Sequence, residues 1–282
     1  MILLDGKKLS IKTNQMIKEE ILQYKNQGYR SPALAIIMVG NNPASQIYVN
    51  SKNKRSKQLG FLGQTYLFDE NATEAEVINQ IKLLNQDPTV DGILIQLPLP
   101  NHLDTNKLLD LVDPLKDVDG FNVINQGLLF QSREKVIPAT PLGIVKLLEE
   151  YQIDVNGLNV CVVGRSLIVG NPVAKLMMNL GATVTVCYIG TRNLKEHTLL
   201  ADLIIVATGV PKLIKADMVK EDVIIIDVGI NRVGGEIVGD VDFLEVSKKA
   251  SYITPVPGGV GPMTVTALLL NTLMLYKKHL NL

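Results

Sequence analysis

LNVCVVGRSLIVGNP, residues 158–172, is a strand that feeds a helix through a loop bounded by glycines. Residues 158–163 form a short aliphatic run rich in Val, which reads as a buried strand ended by Gly164. Asn171-Pro172 reads as a helix start, with Asn as N-cap and Pro at the first helical position. That helix is expected to reach Leu180, with Gly181 past its end. Such a loop suits phosphate, because N–H groups at a helix start lack intrahelical partners and the dipole there favours an anion. The spacing is not G-x-G-x-x-G. A phosphate loop and a plain βα turn closed by glycines both fit it.

The same alternation continues outward in both directions. Toward the C-terminus, ATVTVC (182–187), DLIIVATG (202–209) and VIIIDVG (223–229) read as further strands. Residues 233–241, rich in Gly, read as a hairpin, 252–255 as a short strand and 264–282 as a terminal helix. That helix is apolar first and basic at its end, which matches the helix dipole. Toward the N-terminus, residues 10–29 are helical, ALAIIMV (33–39) is a strand closed by Gly40, and 43–59 is a helix ended by Gly60. Residues 64–68 alternate as a strand, and Thr73 with Glu76 forms a capping box opening a helix to Leu84. GILIQL (92–97) is a strand halted by Pro98 and Pro100. Strands alternating with helices predict parallel sheets covered on both faces. The fold class is therefore α/β, in two three-layer units joined within about residues 122–151 and flanking a cleft.

Composition narrows the function. The chain has 282 residues, with 28 Lys+Arg against 28 Asp+Glu, so its net charge is zero. That balance argues against a nucleic-acid partner bound through overall basicity. The apolar mass is aliphatic, with 5% aromatic residues and no Trp, as buried parallel strands require. Cys161 and Cys187 form no CxxC and sit in strand-like runs, so buried free thiols in a reducing compartment are expected. No signal peptide fits the start, and no apolar stretch reaches the length of about 18 residues a membrane span needs. A cytoplasmic protein without a membrane partner is expected. His102, His197 and His279 lack metal-ligand spacing, and neither a hydrolase elbow nor a Walker loop is present, so no metal is expected.

Four polar residues of the first half stand out. Tyr48 and Lys52 are one helical turn apart and share a face with Ser45. Gln96 ends an aliphatic strand, where open α/β sheets place ligands. Lys116-Asp117-Val118-Asp119-Gly120 is an acidic, turn-like segment. Each reads equally as surface structure: an exposed helix face, a strand-end cap, solvated turn carboxylates. Together they have chemical potential. A lysine moves protons near neutral pH once burial lowers its pKa, a glutamine orients the amine without adding charge, and a carboxylate holds a flat amine-bearing ring.

Motifs in order along the chain carry a resemblance. They are YVNSK (48–52), GILIQLPLP (92–100), KDVDG (116–120), PATP (138–141), GRS with IVG (164–170), DVGIN (227–231) and PVPGGVGPMT (255–264). The whole chain resembles the bifunctional methylenetetrahydrofolate dehydrogenase/cyclohydrolase family. The resemblance implies a catalytic folate domain over 1–122 plus 262–282 and an NADP-binding Rossmann-type domain over 140–261. It implies oxidation of 5,10-methylenetetrahydrofolate to 5,10-methenyltetrahydrofolate by NADP, then hydrolysis to 10-formyltetrahydrofolate, in a homodimer joined through the nucleotide domain. By the same resemblance Lys52 is the main catalytic group, Tyr48 stacks on the folate, Gln96 tunes the lysine and Asp119 binds the pterin. Leu97 and Pro257, Gly258 and Gly259 would border the substrate. Gly164, Arg165, Ser166, Ile189, Thr208, Gly209 and Ile230 would meet the coenzyme. Competing readings are another two-domain NAD(P) dehydrogenase of shikimate or amino-acid type, and a non-catalytic dinucleotide sensor.

Two departures bear on the coenzyme. The strand at 182–187 is followed by no carboxylate for a ribose 2′-hydroxyl, and Arg165 is placed for a 2′-phosphate, which leans toward NADP. Yet where the family commonly has Cys-His-Ser-(Arg/Lys)-Thr, residues 187–191 read Cys-Tyr-Ile-Gly-Thr. Ile189 and Gly190 replace a serine and a cation that hold the 2′-phosphate, so NAD use is open. We expect NADP to be used, with a smaller advantage over NAD than in relatives carrying that serine. Steady-state kinetics with both coenzymes check this, and a clear preference for NAD would refute it.

Overall fold

The computed structural model describes residues 1–282, the side chain of Ala44 apart. The chain begins β1 (Ile2–Leu3), α1 (Gly6–Asn26), β2 (Ala33–Val39), α2 (Pro43–Leu59), β3 (Leu62–Phe68), α3 (Glu74–Gln86), β4 (Gly92–Ile95), α4 (Thr105–Leu111) and α5 (Val123–Phe130). It continues α6 (Ala139–Glu150), β5 (Asn159–Val163), α7 (Gly170–Asn179), β6 (Thr183–Cys187), α8 (Leu194–Leu200), β7 (Leu203–Val206) and β8 (Ile224–Asp227). It ends β9 (Asn231–Val233), β10 (Glu236–Val238), α9 (Phe243–Val246), β11 (Tyr252–Ile253) and α10 (Val260–Leu280). Two compact units emerge: residues 1–11 with 140–264, and residues 12–139 with 265–282. None of the described helices is long and apolar enough to cross a membrane.

The first unit holds a six-stranded parallel sheet in the order β1-β11-β8-β7-β5-β6. Its central strands are mostly aliphatic and largely buried on both faces, the pattern of a covered parallel sheet. β9 and β10 form the expected hairpin, turning through Gly234 and Gly235 in the left-handed region. Ile2 and Leu3 of β1 pair with Tyr252 and Ile253 of β11, and residues 1–11 group by contact with residues 140–264.

The second unit is built on a parallel sheet in the order β3-β2-β4. Ile37, Val39, Ile93 and Ile95 from β2 and β4 pack with Val77, Ile81 and Leu84 of α3 in one core. α2 opens on Asn42, whose side chain accepts the Ser45 N–H, and closes on Gly60 at φ 95. The Thr73–Glu76 capping box forms as expected.

Three helix starts differ from the sequence reading, two of them because a side chain caps the helix earlier. α1 begins at Gly6, because Asp5 Oδ1 accepts the Lys8 N–H and caps it. α7 begins at Gly170, not Asn171, because the Ser166 hydroxyl accepts the N–H groups of Val169 and Gly170. α10 begins at Val260, ahead of Thr264. Pro172 and Pro262 therefore lie inside the first turn, where the missing N–H has no partner to lose.

Asp91, fully buried just before β4, ties the second unit together. It accepts two hydrogen bonds from Arg30, at 2.6 and 2.7 Å, one from the Ala33 N–H at 2.8 Å, and faces His279 Nδ1 of α10 at 3.0 Å. The Arg30 guanidinium also lies over the Tyr276 ring, 5.3 Å from its centre, and the Tyr276 hydroxyl donates to the Arg30 carbonyl. Removing one partner of a buried charge pair strands the other. Asp91→Asn is expected to destabilise this unit by roughly 3 kcal/mol, read as a lowered midpoint in thermal or urea unfolding. An unchanged midpoint would contradict the role assigned to this cluster.

Candidate active site

The second unit brings together three of the four singled-out polar residues. α2 carries Lys52 toward the carboxyl end of β4, where Lys52 Nζ donates to Gln96 Oε1 at 3.1 Å. Gln96 cannot turn away, because its own Nε2 donates to the Leu97 carbonyl at 2.6 Å. The amide oxygen is thereby fixed toward the amine, and a neutral partner leaves the amine free to lose its proton. Burial lowers the Lys52 pKa, and the charge of Asp119 opposes that shift. Asp119 answers in kind. Burial pushes its carboxyl up to about 6, Lys52 pulls it down, and Asp117 adds to the rise. Burial thus disfavours the charged form of each group, and each group's charge favours the charged form of the other.

In the segment 116–120, three consecutive side chains are buried, each with its own partners. Lys116 points into the protein and donates to the carbonyls of Leu84 and Asp87. Asp117 is buried and accepts from the N–H groups of Gly120 and Asn122 and from Asn125 Nδ2. Val118 is wholly buried, and Gly120 turns the chain at φ +71, where a Cβ would lie 2.8 Å from the Pro138 nitrogen. Only Asp119 is left for the site. Asn122 and Asn125 were not singled out in the sequence, and nothing in KDVDG tells its two carboxylates apart: two residues apart, they would share a face of an extended segment. Of the face shared by Ser45, Tyr48 and Lys52, Ser45 is buried and Tyr48 is 42% exposed, its ring open to a ligand.

The coenzyme candidates lie in the first unit. A cavity of about 520 Å³ is lined by Gly164, Arg165, Ser166, Ile189 and Thr208, together with Tyr188. Gly209 and Ile230 are not part of its lining. The loop is tight enough to require its glycines. At Gly164, φ +117, a Cβ would sit 2.2 Å from the Ala207 carbonyl oxygen, and at Gly170 2.1 Å from that of Gly164. The Ser166 hydroxyl already accepts two N–H groups, so its own hydrogen is available to an anion. The N–H of Gly170 is thereby occupied, a change from the open helix start expected of the sequence. A loop with a free guanidinium, a hydroxyl donor and no side-chain bulk fits a phosphorylated nucleotide.

Two buried aspartates hold the far wall. Asp240 Oδ2 accepts from the Thr208 N–H, the Thr208 hydroxyl and the Gly209 N–H, and Oδ1 from Asn231 Nδ2. Asp227 in turn accepts from the N–H groups of Gly229, Asp240 and Val241. Burial pushes the Asp227 carboxyl up to about 6, and Asp240 adds to the rise. A Cβ on Gly229 would lie 2.2 Å from Asp240 Oδ1, and one on Gly239 1.8 Å from Asp227 Oδ2. DVGIN is thus the frame of the Thr208–Gly209 turn. In the same unit Pro257, Gly258 and Gly259 lead into α10, and Gly258 has φ +113. Beside them, a Cβ on Gly6 would lie 1.8 Å from the Gly259 carbonyl oxygen.

Residues 4–119 match the model of the tetrahydrofolate dehydrogenase/cyclohydrolase catalytic domain, and residues 138–280 that of the family's NAD(P)-binding domain. The chain is 55% identical to the bifunctional protein FolD of Sulfurihydrogenibium over 282 residues, covering 99% of each. It superposes on the bifunctional FolD dehydrogenase/cyclohydrolase of Campylobacter jejuni with a TM-score of 0.97, at 51% identity and 99% coverage of both chains. It matches the Trypanosoma brucei enzyme, solved with NADP cofactor and inhibitor, at TM-score 0.96 and 33% identity, over 100% of this chain and 99% of that one. Full-length matches to both domain models and to relatives at this identity make the chain a member of the tetrahydrofolate dehydrogenase/cyclohydrolase family.

Proposed function

We propose that the chain oxidises 5,10-methylenetetrahydrofolate to 5,10-methenyltetrahydrofolate with NADP and hydrolyses the product to 10-formyltetrahydrofolate. The observation that carries this reading is the half-buried Lys52 amine, held on Gln96 Oε1 and facing the carboxyl of Asp119, in a chain of this family. Membership in the family replaces the shikimate- or amino-acid-type reading, and an intact lysine pair argues against a mere sensor.

The loop Gly164-Arg165-Ser166, with Thr208, supplies the donors for the coenzyme, and Ser166 and Arg165 are the groups suited to its phosphates. When bound, NADP accepts the hydride of the methylene carbon. Everything else falls to the protein. Tyr48 offers its exposed ring as a stacking surface for the flat folate. Asp119, as carboxylate, accepts paired N–H donors of the pterin. The methenyl carbon is already electrophilic, so attack by water needs a base more than an acid. Lys52 as neutral amine takes a proton from that water as its oxygen bonds to the carbon. As ammonium it returns the proton to the ring nitrogen while the C–N bond breaks, and the carbinol hydroxyl releases its own proton to solvent as it becomes the formyl C=O. Gln96 keeps the amine aimed through both steps.

The two free, buried thiols support a cytoplasmic setting. A homodimer through the nucleotide domain is consistent with β6, which ends the six-stranded sheet with an open edge and carries exposed Val186.

Lys52→Ala is expected to keep NADP binding and to lose at least about a hundredfold in methenyltetrahydrofolate hydrolysis. Unimpaired hydrolysis would sink the assignment. The pH profile gives an independent check. The Asp119 pKa is raised to about 6, so the carboxylate is lost as pH falls through that value. We expect kcat/KM for the folate to decline below pH 6. In Asp119→Asn the inflection should vanish and KM should rise at every pH. An inflection that persists in that variant belongs to another group.

A further inference from the structure

The loss of the usual serine and cation at Ile189 and Gly190 leaves Arg165 as the cation of the cavity, yet an arginine on an exposed loop is poorly ordered by itself. The structure supplies what orders it. The Arg165 guanidinium lies over the Tyr188 ring, 3.9 Å from its centre, and both residues line the cavity. Tyr188 is fixed in turn. Its N–H donates to Thr191 Oγ1 and its carbonyl accepts the Thr191 N–H, each at 2.8 Å, which closes residues 188–191 into a turn. The ring folds back over Gly190, where a Cβ would lie 2.8–2.9 Å from Cε2, Cζ and Oη. The glycine that removes the family's cation is therefore the residue that makes room for the ring. Stacking uses the face of a guanidinium and leaves its in-plane N–H donors free, and no carboxylate among the described residues pairs with Arg165. An aromatic ring beneath and open donors at the edge make a receptor for a phosphomonoester, which takes two parallel N–H bonds.

We propose that Tyr188 is the positioning residue for coenzyme discrimination: it holds Arg165 toward the 2′-phosphate and replaces the missing serine and cation. The inference rests on the dinucleotide reading above. An NAD ribose has no phosphate at this point, so the stack contributes to NADP affinity alone.

The test is calorimetric binding of NADP, NAD and adenosine 2′,5′-bisphosphate to the purified full chain, without turnover. Tyr188→Ala should weaken NADP and the bisphosphate by roughly fivefold to thirtyfold and leave NAD unchanged. Tyr188→Phe keeps the ring and should bind all three as wild type does. Gly190→Ala, whose backbone is outside the left-handed region, should displace the ring and reproduce the selective loss. In an Arg165→Ala background, Tyr188→Ala should add nothing. Equal weakening of NADP and NAD, no weakening, additive losses in the double variant, or a Phe variant as weak as Ala would each overturn the role of Tyr188. A wild-type chain that binds neither dinucleotide would overturn the coenzyme reading and this inference with it. NADP binding that Tyr188→Ala leaves unmoved overturns this inference alone.

Discussion

A lysine amine is kept partly out of water in the catalytic unit, and three separate elements are arranged around it. α2 brings Lys52 to the end of β4, Gln96 gives the amine one neutral acceptor, and Asp119 faces it with a carboxyl whose own charge is disfavoured. Desolvation acts on both ionised groups, and their attraction offsets part of it. On the lysine the two effects oppose each other: burial favours the neutral amine and the Asp119 charge the protonated one. A fully solvated lysine would stay protonated, whereas a tight ion pair would hold its proton against any substrate.

The nucleotide unit meets a different constraint with a similar device. Phosphate needs a close approach of backbone, so the loop at 164–170 has no room for a Cβ at either end. The opposite wall is shaped by buried carboxylates that accept backbone N–H groups and touch no cation. Asp227 and Asp240 do what side-chain caps do at a helix start, on irregular chain. Global charge was therefore a poor guide. A neutral protein can serve an anionic ligand with one stacked arginine, one serine hydroxyl and a few aimed dipoles.

Much of this was legible because strands and helices here obey their periods. The central strands β2, β4, β5, β7 and β8 are aliphatic runs with no competing helical pattern, and each was found within a few residues. Lys52, Gln96 and Asp119 stood in motifs that carried the family resemblance. Local caps and pairings distant in sequence were less legible. Asp5 caps α1 ahead of the helical pattern at residue 10, and Ser166 caps α7 ahead of the more conspicuous Asn171-Pro172. β1 is two residues long and has no period to detect, and only its pairing partner, 250 residues away, defines it. Asp117 read as a solvated turn carboxylate, because burial leaves no mark on a residue's name. Tyr188 looked like a departure from the family pattern, and only the ring geometry gives it a use.

The pairing of β1 with β11 has a consequence for how the chain is made. Each compact unit is assembled from two stretches of sequence, with the last eighteen residues completing the unit that residues 12–139 began. During synthesis β1 must wait for β11, some 250 residues later, before its backbone groups find these partners. Two residues are a small edge to leave exposed for that interval, and a longer first strand would offer neighbouring chains a template for the whole period of synthesis.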